Sequence, residues 1–372
     1  MNENSPLISV FLPYYNDKAF LADAVESVLN QSYKNIELVL FNHASADGSR
    51  DIAHSYNDQR IIHIDAKKNL GAGATYNISV CLAQMSGVWF KTMCADDILR
   101  SDCFENMVAY ALENPDKDLI FGNMEYVNAE GKSLKKDWFS DVRGFSVNNS
   151  EIDLMKLFSS NINVLPYTGA FVKTEKLRSL KMDNSLTIRA DMWLWLSSLL
   201  QGAKVGYCNQ IIGSYRFHGY QENSFDPEII HWRSEYEKSP FLSLFFGIND
   251  ISIAKTVFPD SPYADRLTDP QDIPFYVAEY FLRKDGYPFA YDALFKMMTD
   301  DDTCERLERV FGFGVLELRK LYAFKKETSF KKRLYVKKPK ELTLLELLYL
   351  TTRKISRKIG FLLTLRFLRK KK

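Results

Sequence analysis

Residues 6–17 read PLISVFLPYYND, and this stretch sets the fold class of the 372-residue chain. A short apolar run ends at a proline and gives way at once to polar residues, as in a buried strand that stops at the edge of a sheet. A helical period follows over 20–29, with its apolar residues on one face. Three more strand-like runs come at 36–41, 60–65 and 88–93, with helical patterns between them. This alternation predicts an α/β fold, a mostly parallel central sheet with helices on both faces.

Polar residues gather immediately after each strand-like run. In open α/β sheets the carboxyl ends of parallel strands lie at one edge, and ligands bind in the crevice there. Four polar clusters at four strand ends therefore predict one binding site. In chain order the clusters are Tyr14, Tyr15, Asn16 and Asp17; Asn42, His43, Ser45 and Asp47; Asn69, Gly71 and Gly73; and Asp96 and Asp97.

Asp96 and Asp97 are adjacent carboxylates at the end of an apolar run. Their charges repel and burial desolvates them, so the folded protein has to offset the charge. A divalent cation does this, and hard carboxylate oxygens suit Mg²⁺ or Mn²⁺, which bind carboxylates together with substrate phosphates. The alternative is a plain helix N-cap, because a helical pattern starts near Ser101 and acids are favoured there.

A second group of candidates lies in residues 187–219. Asp191 precedes an apolar helical pattern, where a carboxylate with a raised pKa can act as a general base. An N-cap acid is the structural alternative. Arg216 and His218 end a further apolar run, and positions two apart share a face of a strand, so both can reach one phosphate or metal. A surface arginine and a core histidine are the corresponding alternatives.

Taken in order, these motifs resemble those of the family 2 glycosyltransferases, which have the GT-A fold. The resemblance covers about residues 1–225, and five spaced motifs in one order are more specific than any single motif. It implies a Rossmann-like GT-A domain followed by a helical C-terminal region. The matching segments are residues 6–17 and 21–49, Asn69-Leu-Gly71 with Asn77, Cys94-Ala-Asp96-Asp97, Arg189-Ala-Asp191, and Tyr215-Arg216-Phe-His218.

The family's roles carry over residue by residue. The resemblance implies that Asp97, with Asp96 and His218, binds a Mn²⁺ or Mg²⁺ ion that bridges the diphosphate of the donor. It implies that Asp191 takes the proton from an acceptor hydroxyl. To the donor and nucleotide side it assigns Pro13, Tyr14, Asn16, His43, Asp47, Asn69, Gly71, Asn77, Asp96 and Arg216.

The sequence departs from the family's pattern at three places. Asn42-His43 stands where the family has paired aspartates after the second strand, which leaves the base of the nucleotide open. Cys94 replaces the first aspartate of the metal motif, and Tyr76 stands where an arginine often precedes Asn77. Altered donor choice, reduced activity and silent drift are three interpretations of these departures.

The formal net charge of +2 hides a strong asymmetry between body and tail. Residues 325–372 hold 17 Lys and Arg against 3 Asp and Glu, whereas residues 1–324 hold 32 basic and 44 acidic residues. Two apolar runs in this tail, 342–350 and 359–368, flanked by basic residues, predict an interfacial helix on an anionic membrane surface. Packing on the protein's own acidic body and binding a partner are the alternatives. An acidic body disfavours nucleic acid as that partner.

The sequence predicts a cytoplasmic protein that lies peripherally on the inner face of the cell membrane. The five cysteines form no C-x-x-C pair, which favours a reducing compartment. The N-terminus lacks the features of a signal peptide, and no apolar run reaches the length of a spanning helix. The predicted organisation is a catalytic domain over 1–225, a helical appendage over 226–325 that could line the acceptor side, and the basic tail over 326–372.

These observations together predict an inverting, metal-dependent glycosyltransferase. It would move a sugar from a nucleoside-diphosphate donor, with a UDP-sugar favoured, to a hydroxyl of a growing, lipid-linked surface glycan. A nucleotidyltransferase is one alternative, although the first loop, Pro13-Tyr14-Tyr15-Asn16, is not the Gly-rich basic loop usual in such enzymes. A weakly active or inactive sugar-nucleotide-binding subunit of a glycan assembly complex is the other, and the three departures are its main support.

Overall fold

The computed structural model describes residues 5–69, 74–182, 185–218, 227–284 and 286–321. In this part of the chain, strands and helices alternate and build a nine-stranded mixed sheet. The predicted α/β class with helices after the sheet is confirmed. With the strands numbered along the chain, the sheet order is β3 (Ile61–Asp65), β2 (Ile36–Asn42), β1 (Ile8–Tyr14), β4 (Trp89–Thr92), β8 (Ala170–Lys173), β6 (Leu119–Val127), β9 (Val205–Arg216) and β5 (Ile98–Leu99), and β7 (Ser133–Asp137) pairs with β6 alone.

The first half of the sheet is the parallel part that the sequence predicts. β1 pairs in parallel with β2 and β4, and β2 pairs in parallel with β3. β1 is almost wholly buried because helices cover both faces, which explains its continuous apolar run. The elements are β1 (Ile8–Tyr14), α1 (Leu21–Leu29), β2 (Ile36–Asn42), α2 (Ser49–Ser55), β3 (Ile61–Asp65), α3 (Ala74–Cys81) and β4 (Trp89–Thr92).

The second half of the sheet is mixed, and the sequence did not predict most of it. β8 is antiparallel to both β4 and β6, so it joins the two halves, while β9 runs parallel to β6 and pairs with the short β5. The elements are β5 (Ile98–Leu99), α4 (Cys103–Glu113), β6 (Leu119–Val127), β7 (Ser133–Asp137), α5 (Trp138–Asp141), α6 (Glu151–Ser159), β8 (Ala170–Lys173), α7 (Thr174–Ser179), α8 (Ala190–Leu200) and β9 (Val205–Arg216).

The C-terminal region is helical, as predicted. α11 is buried on nearly every side and packs against α10 and the 3₁₀ turn Ser243–Gly247. The helices are α9 (Pro227–Leu242), α10 (Ile251–Val257), α11 (Ile273–Lys284), α12 (Pro288–Met298) and α13 (Asp301–Phe311), and residues 315–321 are also helical.

The chain divides into two compact units, Met1–Met297 and Met298–Lys372. The boundary predicted between 225 and 226 falls inside the first unit, so α9, α10 and α11 belong to the same unit as the sheet. None of the helices in the described ranges is long and apolar enough to cross a membrane. The predicted basic tail, 326–372, lies outside the described residues.

Candidate active site

Three side chains after β4 form the group of potential metal ligands found among the described residues. The Cys94 sulfur and carboxylate oxygens of Asp96 and Asp97 all lie within 4.8 Å of one another. Asp97 is 1% exposed, so its carboxylate is withdrawn from water. The adjacent acids predicted from the sequence therefore lie together at the carboxyl edge of the parallel strands, and Cys94 joins them.

Two residues from other parts of the chain donate hydrogen bonds to the Asp97 carboxylate. The Thr168 hydroxyl donates to its Oδ2, and the backbone N–H of Arg216 donates to its Oδ1 at 3.1 Å. Burial, and then the negative charge of Asp96, raises the pKa of Asp97 to about 8. An acid in such surroundings stays ionised only when a nearby positive charge stabilises it.

The residues present fit a divalent cation. Two carboxylates offer the hard oxygen donors that Mg²⁺ and Mn²⁺ prefer, and the raised pKa of Asp97 marks a site with too little positive charge. Burial holds the pKa of the Cys94 thiol well above its usual range, so the sulfur is neutral. Asp96 and Asp97 are therefore the charged ligands that this group can supply.

Lys91 is a buried cation near this group that the sequence reasoning missed. Its side chain is fully buried, and its ammonium donates to the carbonyl oxygens of Thr92, at 2.7 Å, and Thr168. Burial lowers the pKa of Lys91 to about 8. The signal available in the sequence was a lone lysine inside the apolar run of the fourth strand.

Arg216 and His218, at the end of β9, both contact Asp96. The His218 Nε2 lies 3.0 Å from Asp96 Oδ2, so this histidine contacts the acidic pair through Asp96. The Arg216 guanidinium is 3% exposed and donates to the Asp96 carbonyl at 2.9 Å and to Asp23 Oδ2 at 3.0 Å. Arg216 thereby ties the end of β9 to the loop after β4 and to α1.

On the predicted nucleotide side, Asn16 links the loops after β1 and β2. It adopts a left-handed backbone with φ 56°, a conformation that asparagine tolerates better than most residues. Its side-chain oxygen accepts from the Ala46 N–H at 2.8 Å, and its own N–H donates to the Ser45 hydroxyl at 3.1 Å. Pro13 and Tyr14, the last two residues of β1, are half-buried and buried respectively.

Asp47 acts as a cap in this structure. Its carboxylate accepts from the N–H and hydroxyl of Ser49, at the start of α2, and from the Lys18 N–H at 2.9 Å. Hydrogen bonds from these donors lower the pKa of Asp47 despite its burial. Asp47 thus shapes the loop beside the predicted nucleotide pocket.

Asp65, the last residue of β3, is a second carboxylate at this edge that the sequence reasoning did not single out. It accepts from the Asn42 side chain at 2.8 Å and from Arg50 at 3.1 Å, and His54 Nε2 lies 3.0 Å away. His43 is 5% exposed, and burial lowers its pKa. A neutral imidazole can donate or accept depending on its tautomer.

Three predicted donor-side positions lie at or beyond the limits of the described residues. Asn69 is exposed and ends a described range, and Gly71 lies outside the described residues. Asn77 belongs to α3, but its side chain, like that of Tyr76, lies outside the described part of the structure.

Asp191 lies in the first turn of α8 in a buried setting. One carboxylate oxygen accepts from the Asn163 side chain at 2.7 Å, and the other accepts from the Met192 N–H at 2.7 Å. Burial outweighs these hydrogen bonds and raises the pKa of Asp191 to about 6. The carboxylate is therefore ionised near neutral pH yet basic enough to accept a proton, which suits a general base.

Tyr167 connects the acidic group with Asp191. Burial, followed by the nearby Cys94 and Asp191, holds the pKa of its hydroxyl well above the usual range. The hydroxyl is buried and has no hydrogen-bond partner among the described residues. Because Cys94 and Asp191 both act on this phenol, the metal-ligand group and the candidate base border one region of the molecule.

Residues 9–180 match the family model described as glycosyl transferase family 2. Over these residues, a little under half of the chain, the sequence is similar to the family 2 glycosyltransferases. A Rickettsia felis protein is 28% identical over 226 residues, covering 59% of this chain and 36% of that protein. A Methanocaldococcus jannaschii protein is 26% identical over 217 residues, covering 57% of this chain and 71% of that protein. Both are described as uncharacterized glycosyltransferases.

Among solved structures, Staphylococcus aureus TarS 1–349 in complex with UDP-GlcNAc aligns over 85% of this chain and 87% of its own length. The TM-score is 0.50 and the sequence identity is 17%. This likeness concerns the fold and agrees with the predicted GT-A architecture.

Proposed function

We propose that the chain is an inverting, metal-dependent glycosyltransferase that uses a nucleoside-diphosphate sugar. The observation that carries the proposal is the arrangement around Tyr167. Cys94 of the metal-ligand group and Asp191, whose pKa is raised to about 6, both act electrostatically on this phenol, which supports placing the acidic pair and the candidate base near each other. A metal-assisted leaving group and a general base are the two parts that single-displacement glycosyl transfer needs.

Asp96 and Asp97 would hold the cation, Mn²⁺ or Mg²⁺. When bound, the ion would neutralise charge that develops on the diphosphate leaving group. Thr168 and the Arg216 N–H keep the Asp97 carboxylate oriented, since each donates to a different oxygen. His218 and the Arg216 guanidinium keep Asp96 in place through its side chain and its carbonyl.

Asp191 would take the proton of the acceptor hydroxyl. As that proton leaves, the acceptor oxygen forms a bond to the anomeric carbon, and the bond from this carbon to the diphosphate oxygen breaks. The nucleoside diphosphate departs with the electron pair, and attack opposite the leaving group inverts the anomeric centre. Hydrogen bonds from Asn163 and the Met192 N–H fix the direction in which the carboxylate points.

A UDP-sugar is the favoured donor. The TarS structure with UDP-GlcNAc has a related fold, which supports a diphosphate donor of this kind. In this chain the neutral, buried His43 stands beside Asn42, whose amide is already engaged with Asp65 and the Ser45 N–H. We propose that the His43 imidazole, which can donate or accept depending on its tautomer, contacts the base.

The proposed acceptor is a hydroxyl of a growing, lipid-linked surface glycan on the inner face of the cell membrane. Its support is the basic segment 325–372, which carries 17 Lys and Arg among 48 residues and would draw the protein to anionic lipid. Nucleic acid is not proposed as a partner, because residues 1–324 are acidic overall.

A thermal-shift panel of UDP-, GDP-, dTDP- and CMP-sugars, with and without Mn²⁺, tests this proposal. A ligand that binds the native state raises the melting temperature by mass action. We expect one base class to stabilise the protein, and more strongly with Mn²⁺. Absence of stabilisation by every nucleotide sugar in the presence of Mn²⁺ would contradict the proposed function.

A further inference from the structure

Glu237 of α9 binds the loop that leads into α8. Its side chain is buried at 8% exposure. One carboxylate oxygen accepts from the Thr187 N–H at 2.9 Å and from the Thr187 hydroxyl. The other accepts from the N–H groups of Ile188 and Arg189, both at 2.8 Å. A buried carboxylate is costly unless hydrogen bonds satisfy it, and here four donors from one short loop do so.

Arg189 returns the contact from the loop to α9. Its guanidinium is buried and donates to the Ser234 carbonyl at 3.1 Å and to the Ser234 hydroxyl at 2.7 Å. A third contact goes to the side-chain oxygen of Asn161, whose backbone has a left-handed φ of 61°. Arg189 thus joins α9, the loop before α8 and the loop after α6.

The contacts of Glu237 and Arg189 fix two segments next to the candidate base: the loop that precedes Asp191 and the loop that carries its hydrogen-bond donor Asn163. Asp191 follows Arg189 by two residues, and Asn163, which donates to the Asp191 carboxylate, follows Asn161 by two residues. The loop that leads into the first turn of α8, where the base lies, and the loop that orients the base are therefore fixed to each other and to α9. The predicted appendage contributes structural support to the site.

We propose that Glu237 is a positioning residue for the transfer reaction. It holds the backbone of residues 187–189 and thereby sets the direction of the Asp191 carboxylate toward the acceptor hydroxyl. This inference rests on the proposed function. The donor-side loops are held by separate contacts, such as those of Asn16 with Ser45 and Ala46, so Glu237 acts on the base and leaves donor binding unchanged.

The test compares Glu237→Gln with Glu279→Gln in the full-length protein with Mn²⁺ and the donor found in the panel. Glu279 is the matched control, because it is a fully buried glutamate of α11 that accepts from Arg283 and Ser261, away from residues 187–189. We expect Glu237→Gln to lower kcat about 10- to 100-fold, since small misplacements of a catalytic group have effects of this size. Donor KM should change less than about twofold, and Glu279→Gln should keep the wild-type kcat per folded molecule.

Hydrogen exchange separates positioning from general destabilisation. The amide protons of residues 187–189 should exchange faster in Glu237→Gln than in Glu279→Gln at equal global stability. Should Glu237→Gln not fold, Ser234→Ala removes only one bond to Arg189 and should still lower kcat measurably. A wild-type kcat in either folded variant, or a loss of donor binding as large as the loss of kcat, would overturn the inference. If the wild-type protein binds no nucleotide sugar, the proposed function fails and the inference fails with it.

Discussion

Asp97 and Asp191 are two carboxylates whose surroundings raise their pKa values for different reasons. Asp97 is buried next to another acid, so its ionised form needs a cation. Asp191 accepts hydrogen bonds from two neutral donors and lies near the Arg189 guanidinium, and burial still raises its pKa to about 6, so it remains a usable base without a bound metal ion. Environments of these two kinds can give similar side chains distinct roles, which supports the separate roles proposed for Asp97 and Asp191.

Asp97→Asn should abolish turnover and the stabilisation of the protein by Mn²⁺. The substitution keeps the size of the side chain and removes the charge that a divalent cation needs. Thermal melting with and without Mn²⁺, and donor turnover, measure the two effects. Asp116→Asn is the control, since Asp116 is an exposed acid paired with Lys117, and it should behave as wild type. Full turnover by Asp97→Asn would show that the metal assignment is wrong.

The transfer rate should fall below a pH of about 6, because Asp191 then becomes protonated and can no longer accept the acceptor proton. The same shift affects stability. The folded-state pKa is raised above the unfolded value, so ionisation of Asp191 destabilises the fold, and this effect grows between pH of about 4 and about 6. Asp191→Asn should therefore be more stable than wild type near neutral pH and lose that advantage as the pH falls through this window. An equal stability difference at all pH values would contradict the shift.

Tyr167→Phe should stabilise the protein by about 1 kcal/mol, since its buried hydroxyl has no partner in the described part of the chain and retains its desolvation cost. Tyr276→Phe is the matched control. The Tyr276 hydroxyl donates to the Phe258 carbonyl at 2.6 Å, so its removal should destabilise the protein by a similar amount. Melting of both variants without ligand measures the difference, and a clear loss of stability in Tyr167→Phe would contradict the expectation.

At the scale of elements, the site depends on the mixed half of the sheet and on the segment before β8. Thr168, which donates to Asp97, lies 71 positions later in the chain. Arg216, whose N–H also donates to Asp97, lies 119 positions later. Thr168 belongs to the segment before β8. In this segment its neighbour Gly169 lies against the Gly122 carbonyl. A Cβ on Gly169 would approach that oxygen to 2.6 Å and the Pro166 ring to 2.5 Å.

Gly169→Ala should destabilise the protein by about 1 to 3 kcal/mol and weaken stabilisation by Mn²⁺, because the clash displaces the neighbouring Thr168. Gly247→Ala is the control, since no atom lies within 4 Å of the position that its new methyl group would take, and its backbone is unstrained. Melting temperatures with and without Mn²⁺ give both quantities. A neutral Gly169→Ala would mean that the segment before β8 adapts without cost.

The sequence predicted the elements whose signal is local. The four parallel strands are apolar runs, and α1 has a clear helical period. β5 has two residues and β7 is polar and exposed, so neither has a pattern that sequence reading detects. The position of β5 follows from its pairing with β9, which is distant in the chain. The position of β7 follows from its pairing with β6, which is close in the chain.

The candidate site likewise contains residues with a local sequence signal and residues without one. Asp96, Asp97 and Asp191 were predicted because each borders an apolar pattern, and His218 and Arg216 because they share a strand face. Their supporting partners carry no local signal. Asn163 is an ordinary loop residue until the fold brings it to Asp191, and Glu237 is one glutamate among several on a helix. Such partners are recognisable only once tertiary contacts are known.

At the scale of the whole molecule, the chain combines an acidic body with a strongly basic tail. Removing residues 338–372 should release the protein from vesicles that contain anionic lipid, because the basic residues that it removes each contribute about 1 kcal/mol of binding free energy near such a surface. Sedimentation with vesicles of anionic and of zwitterionic lipid measures this. Unchanged binding to anionic vesicles after truncation would contradict the predicted role of the tail.

The central claim is that Asp97 and Asp191 perform metal-dependent sugar transfer, and release of nucleoside diphosphate by three proteins tests it most directly. The measurement uses wild type, Asp97→Asn and Asp191→Asn, with the stabilising donor and a hydroxyl acceptor, in Mn²⁺ and in EDTA. We predict release by wild type in Mn²⁺ only, no release by either variant, and wild-type donor binding by Asp191→Asn. Wild-type release in EDTA, or a wild-type rate in Asp191→Asn, would contradict the account.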